Sequence, residues 1–255
     1  MSKILLIILS NTMNLEYKEN IKCIKEKIIN NFDNIDVCLV SSHDDYHNYD
    51  DIIDIKYKLK CKDRQFIKMV EVFKFLNNNN TSYDWYIKVR PDLLILDNID
   101  KSFLSSCDEN SLNARIRFYI GPELNIKYGA SHITNDAWSK SWIYYHSLLT
   151  IAPDDQIYIF HNNIANNCFE PIIYSNISNE VIDYYYFHCD TGWTLNKKYT
   201  HNIIESGLKT QIEWFFRDIL FLRNIKINPF GFNIIFRNIQ SNDLIINKPN
   251  QFLQY

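Results

Sequence analysis

"YDWYIKVRPDLLILDNID", residues 83–100, is the stretch on which the fold turns. Its apolar run, residues 85–96, carries Lys88, Arg90 and Asp92 on alternate positions, with Pro91 between the last two. A strand buried on both faces gives three charges no inexpensive place. A strand whose end opens into a binding site does. Pro91 removes a backbone donor and helps to break off the ladder at that point. The stretch therefore predicts a buried strand whose carboxyl end meets a polar ligand.

The segments before it have the matching rhythm. "KILLIIL" (residues 3–9) is a continuous apolar run ending in polar "SNTMN", the pattern of a strand covered on both faces. "NIKCIKEKIINNF" follows with Ile21, Ile24, Ile28 and Ile29 at helical spacing. "IDVCLVSS" is a second strand and "DIIDIKYKL" a short third. "DRQFIKMVEVFKFL" places Phe66, Ile67, Val70, Phe73 and Leu76 broadly on one helical face. Strand, helix, strand, helix, strand predicts right-handed crossovers and a mostly parallel sheet. Ligands bind such sheets at the carboxyl ends of strands, near the point where strand order reverses. Ser10, Asn11 and Thr12, then Ser41, Ser42 and His43, then Arg90 and Asp92, should gather on that edge.

The second half is less regular. "NARIRFYI", "DQIYIF" and "VIDYYYFHC" read as strands, "DAWSKSWIYYHSLL" and "TQIEWFFRDILFLRNI" as helices, with "KINPF" and "NIIFRN" after them. No repeat and no Pro/Gly/Ser-rich linker divides the chain. A single domain over residues 1–255 is expected, with a regular first half (1–100) and an irregular second half (101–255).

Composition excludes several classes. With 255 residues, 46% hydrophobic and 15% aromatic, the chain can bury a sizeable core. A net charge of -3 and the absence of a long basic run argue against a nucleic-acid partner. No apolar stretch approaches the roughly 18 residues that span a bilayer, and the opening run is too short for a signal peptide, so a soluble, cytoplasmic protein is expected. The six cysteines form no C-x-x-C pair and no zinc spacing, and read as separate reduced thiols. Neither G-x-G-x-x-G, G-x-x-x-x-G-K nor G-x-S-x-G occurs, which argues against a Rossmann dehydrogenase, a P-loop NTPase and an α/β-hydrolase.

What remains is the acidic strand end, and it resembles a known family. "YDWYIKVRPDLLILDNID" is similar to the segment around the D-x-D motif of GT-A-fold glycosyltransferases, most closely the glycogenin-like branch and viral-type enzymes with an "R-P-D" variant. A helix leads into the strand, the motif position is Arg90-Pro91-Asp92, and the turn after it is Asn98-Ile99-Asp100. "PDDQIYIFHNN" resembles the later strand whose polar start touches the donor sugar. "TQIEWFFRDILFLRNIKINPF" resembles the helix opened by an acid that faces acceptor or donor sugar. The likeness runs in order over most of residues 3–236.

The resemblance implies an α/β, GT-A-like fold: a Rossmann-type, mostly parallel sheet flanked by helices, with an irregular C-terminal acceptor half. It implies transfer of a sugar from a UDP- or GDP-sugar to a glycan hydroxyl. Donor contacts would come from Ser10, Asn11, Thr12, Ser42, Arg64, Arg90 and Asp92. Asp155 would orient the donor sugar, and Glu213 would act as general base or stabiliser. A divalent cation, Mn²⁺ or Mg²⁺, would sit on Asp92 with His188 or Asp190 completing the shell. The chain departs from the family in having Arg90 at the first aspartate. Asp92 would still bind the ion through the phosphates; alternatively, Arg90 itself would neutralise the diphosphate, without a metal.

Each site also has a plainer reading. Arg90 and Asp92 would form a salt bridge at a strand end, and Asp154 and Asp155 a turn after Pro153. Glu213 would pair with Arg217 one helical turn on, and His188 would be structural. Lys62 and Arg64 open a helix near the nucleotide edge, where phosphate contact and a solvated first turn are equally in keeping with the sequence. Two other functions fit the same segments: a non-catalytic binding protein on a degenerate transferase fold, and a sugar nucleotidyltransferase. The second lacks its expected Gly-rich loop after the first strand, where "SNTMNLEYKEN" stands instead.

Overall fold

The computed structural model describes residues 2–63, 65–120, 149–169, 223–230, 234–238 and 243–247, together with the helical positions Phe216 and Leu220. Among them a seven-stranded sheet runs in the order β3-β2-β1-β4-β7-β6-β8. These strands are β1 (Ile4–Leu9), β2 (Ile35–Ser41), β3 (Tyr57–Lys60), β4 (Trp85–Val89), β6 (Ser111–Ile120), β7 (Leu149–His161) and β8 (Lys226–Pro229). Pairing is parallel from β3 through β4 and between β6 and β8; β7 alone runs antiparallel to its neighbours. The fold is thus α/β with a mostly parallel, mixed sheet, compatible with a Rossmann-like arrangement.

Period-two alternation divides the apolar strands between two cores. Ile4, Leu6 and Ile8 of β1 join Val37, Leu39, Ile87, Val89, Ile157 and Ile159 on one face. Helix α1 (Lys18–Lys27) covers that face with Ile21 and Ile24. Leu5, Ile7 and Leu9 face the other way, toward Phe66, Ile67, Val70 and Phe73 of α2 (Gln65–Asn78). Every residue of β1 is therefore buried, as its unbroken apolar run requires.

The α2 face is rich in aromatic rings. Phe73 stacks on Phe169 with centroids 5.4 Å apart and planes 7° from parallel, and Tyr86 stacks on Phe160 at 5.3 Å. Phe169 lies in a helix the sequence pattern did not foretell, Asn162–Phe169, which packs on α2. A short helix α3 (Lys101–Ser105) precedes it in the chain, so the later one is α4. Asp100 of the Asn98-Ile99-Asp100 turn caps α3, its Oδ1 accepting from the Phe103 amide at 2.8 Å.

Several boundaries differ from the sequence reading. The run over residues 85–96 is two strands in two sheets. β4 stops at Val89, and β5 (Leu93–Ile95) joins a separate three-stranded sheet, β10-β9-β5, with β9 (Ile234–Asn238) and β10 (Asp243–Asn247). Pro91 sits in the turn between them. Of "DIIDIKYKL" only Tyr57–Lys60 is strand. The strand read as "DQIYIF" begins earlier, at Leu149, so Pro153, Asp154 and Asp155 lie within β7. "VIDYYYFHC" lies outside the described residues, as does "DAWSKSWIYYHSLL" up to its last residue, Leu149, which opens β7, and most of "TQIEWFFRDILFLRNI".

Cys23, Cys38, Cys61, Cys107 and Cys168 are free thiols. Burial pushes the Cys107 thiol up to about 12. No described helix is long and apolar enough to cross a membrane.

Candidate functional site

The chain winds from β1 out through β2 to β3, then returns to place β4 on the opposite side of β1. Strand order reverses there, so the carboxyl ends of β1 and β4 flank a crevice where such sheets bind ligands. Ser10, Asn11 and Thr12 follow β1, and Arg90 and Asp92 follow β4.

The loops on the β1 and β2 side are tied to one another. The Ser10 amide donates to the Val40 carbonyl and the Ser42 amide to the Asn11 carbonyl, each at 3.0 Å. Asp45 accepts from the Ser41 hydroxyl and the Met13 amide, both at 2.7 Å. Lys68, fully buried in the first turns of α2, closes this group. Its Nζ donates to Asn11 Oδ1 and Ser42 Oγ, both at 3.0 Å, and to the Asp63 carbonyl. Ser42 Oγ in turn donates to the Cys61 carbonyl at 3.1 Å. Asn11 and Thr12 are exposed on this edge, whereas Ser42 is buried beneath it.

Lys68→Met keeps the side-chain volume while removing the charge. Three charge-assisted bonds are lost, and the cost of burying an ammonium is relieved. The expected balance is a loss of about 2 kcal/mol, read as a lower urea midpoint with an unchanged m-value. A variant as stable as the parent would show that the Lys68 tie contributes nothing.

On the β4 side, Lys88 is buried on the α2 face. Its Nζ donates to Gln65 Oε1 at 2.7 Å and lies 4.9 Å from the centre of the Tyr158 ring. The first turn of α2 thus reaches β1 and β2 through Lys68 and β4 through Gln65. Two residues beyond Lys88, Arg90 grips Asp92 with both prongs: Nε donates to Oδ1 at 2.9 Å, and Nη2 to Oδ2. Their side chains are 21% and 12% exposed. The Pro91 carbonyl accepts from the buried Asn20 amide at 3.1 Å, anchoring the turn to α1. Beneath it Tyr49 donates to the Asn14 carbonyl at 2.8 Å. Burial, with Tyr17, Asp45 and Asp92 nearby, holds its phenol well above the usual range.

β7 completes the edge through its backbone. Ala114 of β6 pairs with Tyr158, yet Ile116 pairs with Pro153, so residues 154–157 of β7 stand against the single residue Arg115. Such a bulge interrupts pairing and is frequent beside binding sites. Val89 of β4 pairs with Ile157. That pair ends the ladder, so Arg90 follows it on one side and Gln156 and Asp155 precede it along β7 on the other.

The structure therefore brings Ser10, Asn11, Thr12, Ser42, Arg90 and Asp92 to one edge, and the Asp155 backbone with them. Arg64, His188, Asp190 and Glu213 lie outside the described residues. Lys68, Gln65 and Asn20 were missed, because Lys68 reads as the solvent face of an apolar helix, and Gln65 and Asn20 continue the polar runs Asp63-Arg64 and Lys18-Glu19. The signal was present: Lys68 is flanked on both sides by buried positions, Phe66, Ile67, Met69 and Val70.

His188 and Asp190, expected beside Asp92 in the shell of a cation, lie outside the described residues. Among the described residues no group of three or more His, Cys, Asp or Glu side chains converges. Asp92, the carboxylate expected to hold the ion, has both oxygens in the fork of Arg90. The sequence matches no family model and no curated protein.

Proposed function

We propose that this chain is a GT-A-type glycosyltransferase, moving a sugar from a UDP- or GDP-linked donor to a hydroxyl of a glycan acceptor. One observation carries the reading: the Arg90-Asp92 turn, the polar loops after β1 and β2, and the β7 bulge meet at the switch point between β1 and β4. A nucleoside diphosphate-sugar needs such a seat. Its phosphates ask for fixed positive charge, and its leaving group gains negative charge as the glycosidic bond breaks.

In this reading Ser10, Asn11, Thr12, Ser42 and Arg64 contact the nucleotide. Arg90, oriented by Asp92, faces the diphosphate. Asp155 orients the sugar, and Glu213 takes the acceptor proton or steadies the sugar. A rival reading, a binding protein on a degenerate transferase fold, draws on the same geometry. Ser42 Oγ and the Asp92 carboxylate are already engaged inside the fold, as retained structural residues would be.

Thermal shift against UDP, GDP, dTDP and CMP, each with and without Mn²⁺, separates the two. A nucleotide at 100 times its dissociation constant adds about 2.7 kcal/mol, an upward shift of several degrees. A strong shift from one nucleotide supports the transferase and names the donor base. No shift from any of the four sinks the transferase reading and leaves the rival.

A further inference from the structure

We infer that Arg90, held by Asp92, takes the place of the metal ion at the donor diphosphate, so that nucleotide binding needs no divalent cation; this rests on the transferase reading above. In a D-x-D pair two carboxylates face the phosphates and draw a cation between them. Here the first position is a guanidinium, and it lies in a two-pronged bond with the second. A divalent ion on Asp92 would have to take an oxygen from that bond and sit beside the guanidinium's positive charge. Both effects oppose it. A diphosphate meets the reverse situation, a planar cation whose geometry suits phosphate oxygens.

Asp92 sets the direction of that cation. It engages the Nε and Nη2 edge, which fixes the plane of the guanidinium. The pair is mostly buried but not sealed, at 21% and 12% exposure, so a ligand on the strand edge reaches it. Lys68, buried beneath the loops after β1 and β2 on this edge, adds positive potential. Asp92 is therefore a positioning residue, and its own negative charge works against the anion it helps to bind.

That opposition gives the test its sign. Calorimetric titration of UDP, GDP and dTDP is run on the full chain in excess EDTA and in excess Mn²⁺. The wild type should bind its nucleotide with the same dissociation constant in both buffers. In EDTA, Arg90→Lys should weaken binding about tenfold, since the planar fork is lost while the charge stays. Asp92→Asn in EDTA should also weaken it, by about the same factor, because the amide accepts only one of the two bonds. Charge alone predicts the opposite: removing an acid beside an anion tightens binding. Unchanged or tighter binding by Asp92→Asn in EDTA overturns the positioning role. Wild-type binding that disappears in EDTA and returns with Mn²⁺ overturns the inference while the transferase reading survives. Binding of no nucleotide in either buffer sinks both.

Discussion

Phe73→Ala should cost about 3–5 kcal/mol of unfolding free energy, the range for emptying a large aromatic from a closed core. Phe73 is 2% exposed at the centre of the α2-side core. Its ring meets Tyr86 at 5.0 Å, Phe160 at 6.0 Å and Phe169 at 5.4 Å, so it joins α2 to β4, β7 and α4 at once. Those partners sit on three separate elements of a hydrogen-bonded scaffold, and collapse into the vacated space would require all three to move. The cavity should therefore persist, and its cost adds to the lost transfer energy. Against a total of about 5–15 kcal/mol for a typical domain, the loss is about a fifth or more. Urea unfolding followed by fluorescence and by circular dichroism measures it. Phe73→Leu, which keeps most of the volume, should lose much less. A Phe73→Ala loss below 1 kcal/mol would mean that this aromatic core is not closed around residue 73.

Arg90→Gln should lower turnover about 100- to 1,000-fold, the effect of removing one fixed charge-stabilising donor from an active site. The measurement is release of nucleoside diphosphate from the donor whose base stabilises the protein. A loss of stability would accompany it, because Asp92 would be left largely buried without its guanidinium. Activity loss by instability alone is separated with a second variant. Arg90→Gln combined with Asp92→Asn removes both charges and should recover most of the melting temperature. Turnover should stay low in that double variant. Recovery of turnover along with stability would make the pair structural, and the proposed function would lose its central residue.

The two variants probe parts of the chain that were legible to different degrees. The aromatic core could be read in outline: "QFIKMVEVFKFL" declared an apolar helical face, and "DWYIKV" a buried strand. That Phe73 meets Phe169 could not, since α4 lies in the polar-looking segment "NNIANNCF". Its four buried positions, Ile164, Ala165, Cys168 and Phe169, follow helical spacing. The four asparagines of that segment, Asn162, Asn163, Asn166 and Asn167, are exposed and mask the pattern.

The candidate site divides in the same way. Alternation alone placed Arg90 and Asp92 at a strand end, because charges two apart in an apolar strand have to leave the core together. It could not tell whether the pair would bond to itself. That depends on the turn at Pro91, which is pinned by Asn20 of α1, 71 residues away. Lys88 was read with its neighbours as part of the strand end, but it lies inside the sheet, and only the first turn of α2 supplies Gln65 to receive it.

The doubly covered first strand, the α/β alternation and the carboxyl edge on which polar residues collect were legible in the chain. Those follow from local periodicity, since a side chain's face is set by its position along its own strand or helix. Only the tertiary structure decided that residues 93–95 leave β4's sheet for a strand more than 130 residues later. The same holds for the irregularity that sets residues 154–157 of β7 against Arg115 alone, and for the buried Lys68 that ties three loops together. Each of these is a pairing between distant segments, and the free energy of a long-range pair appears only when both partners are in place.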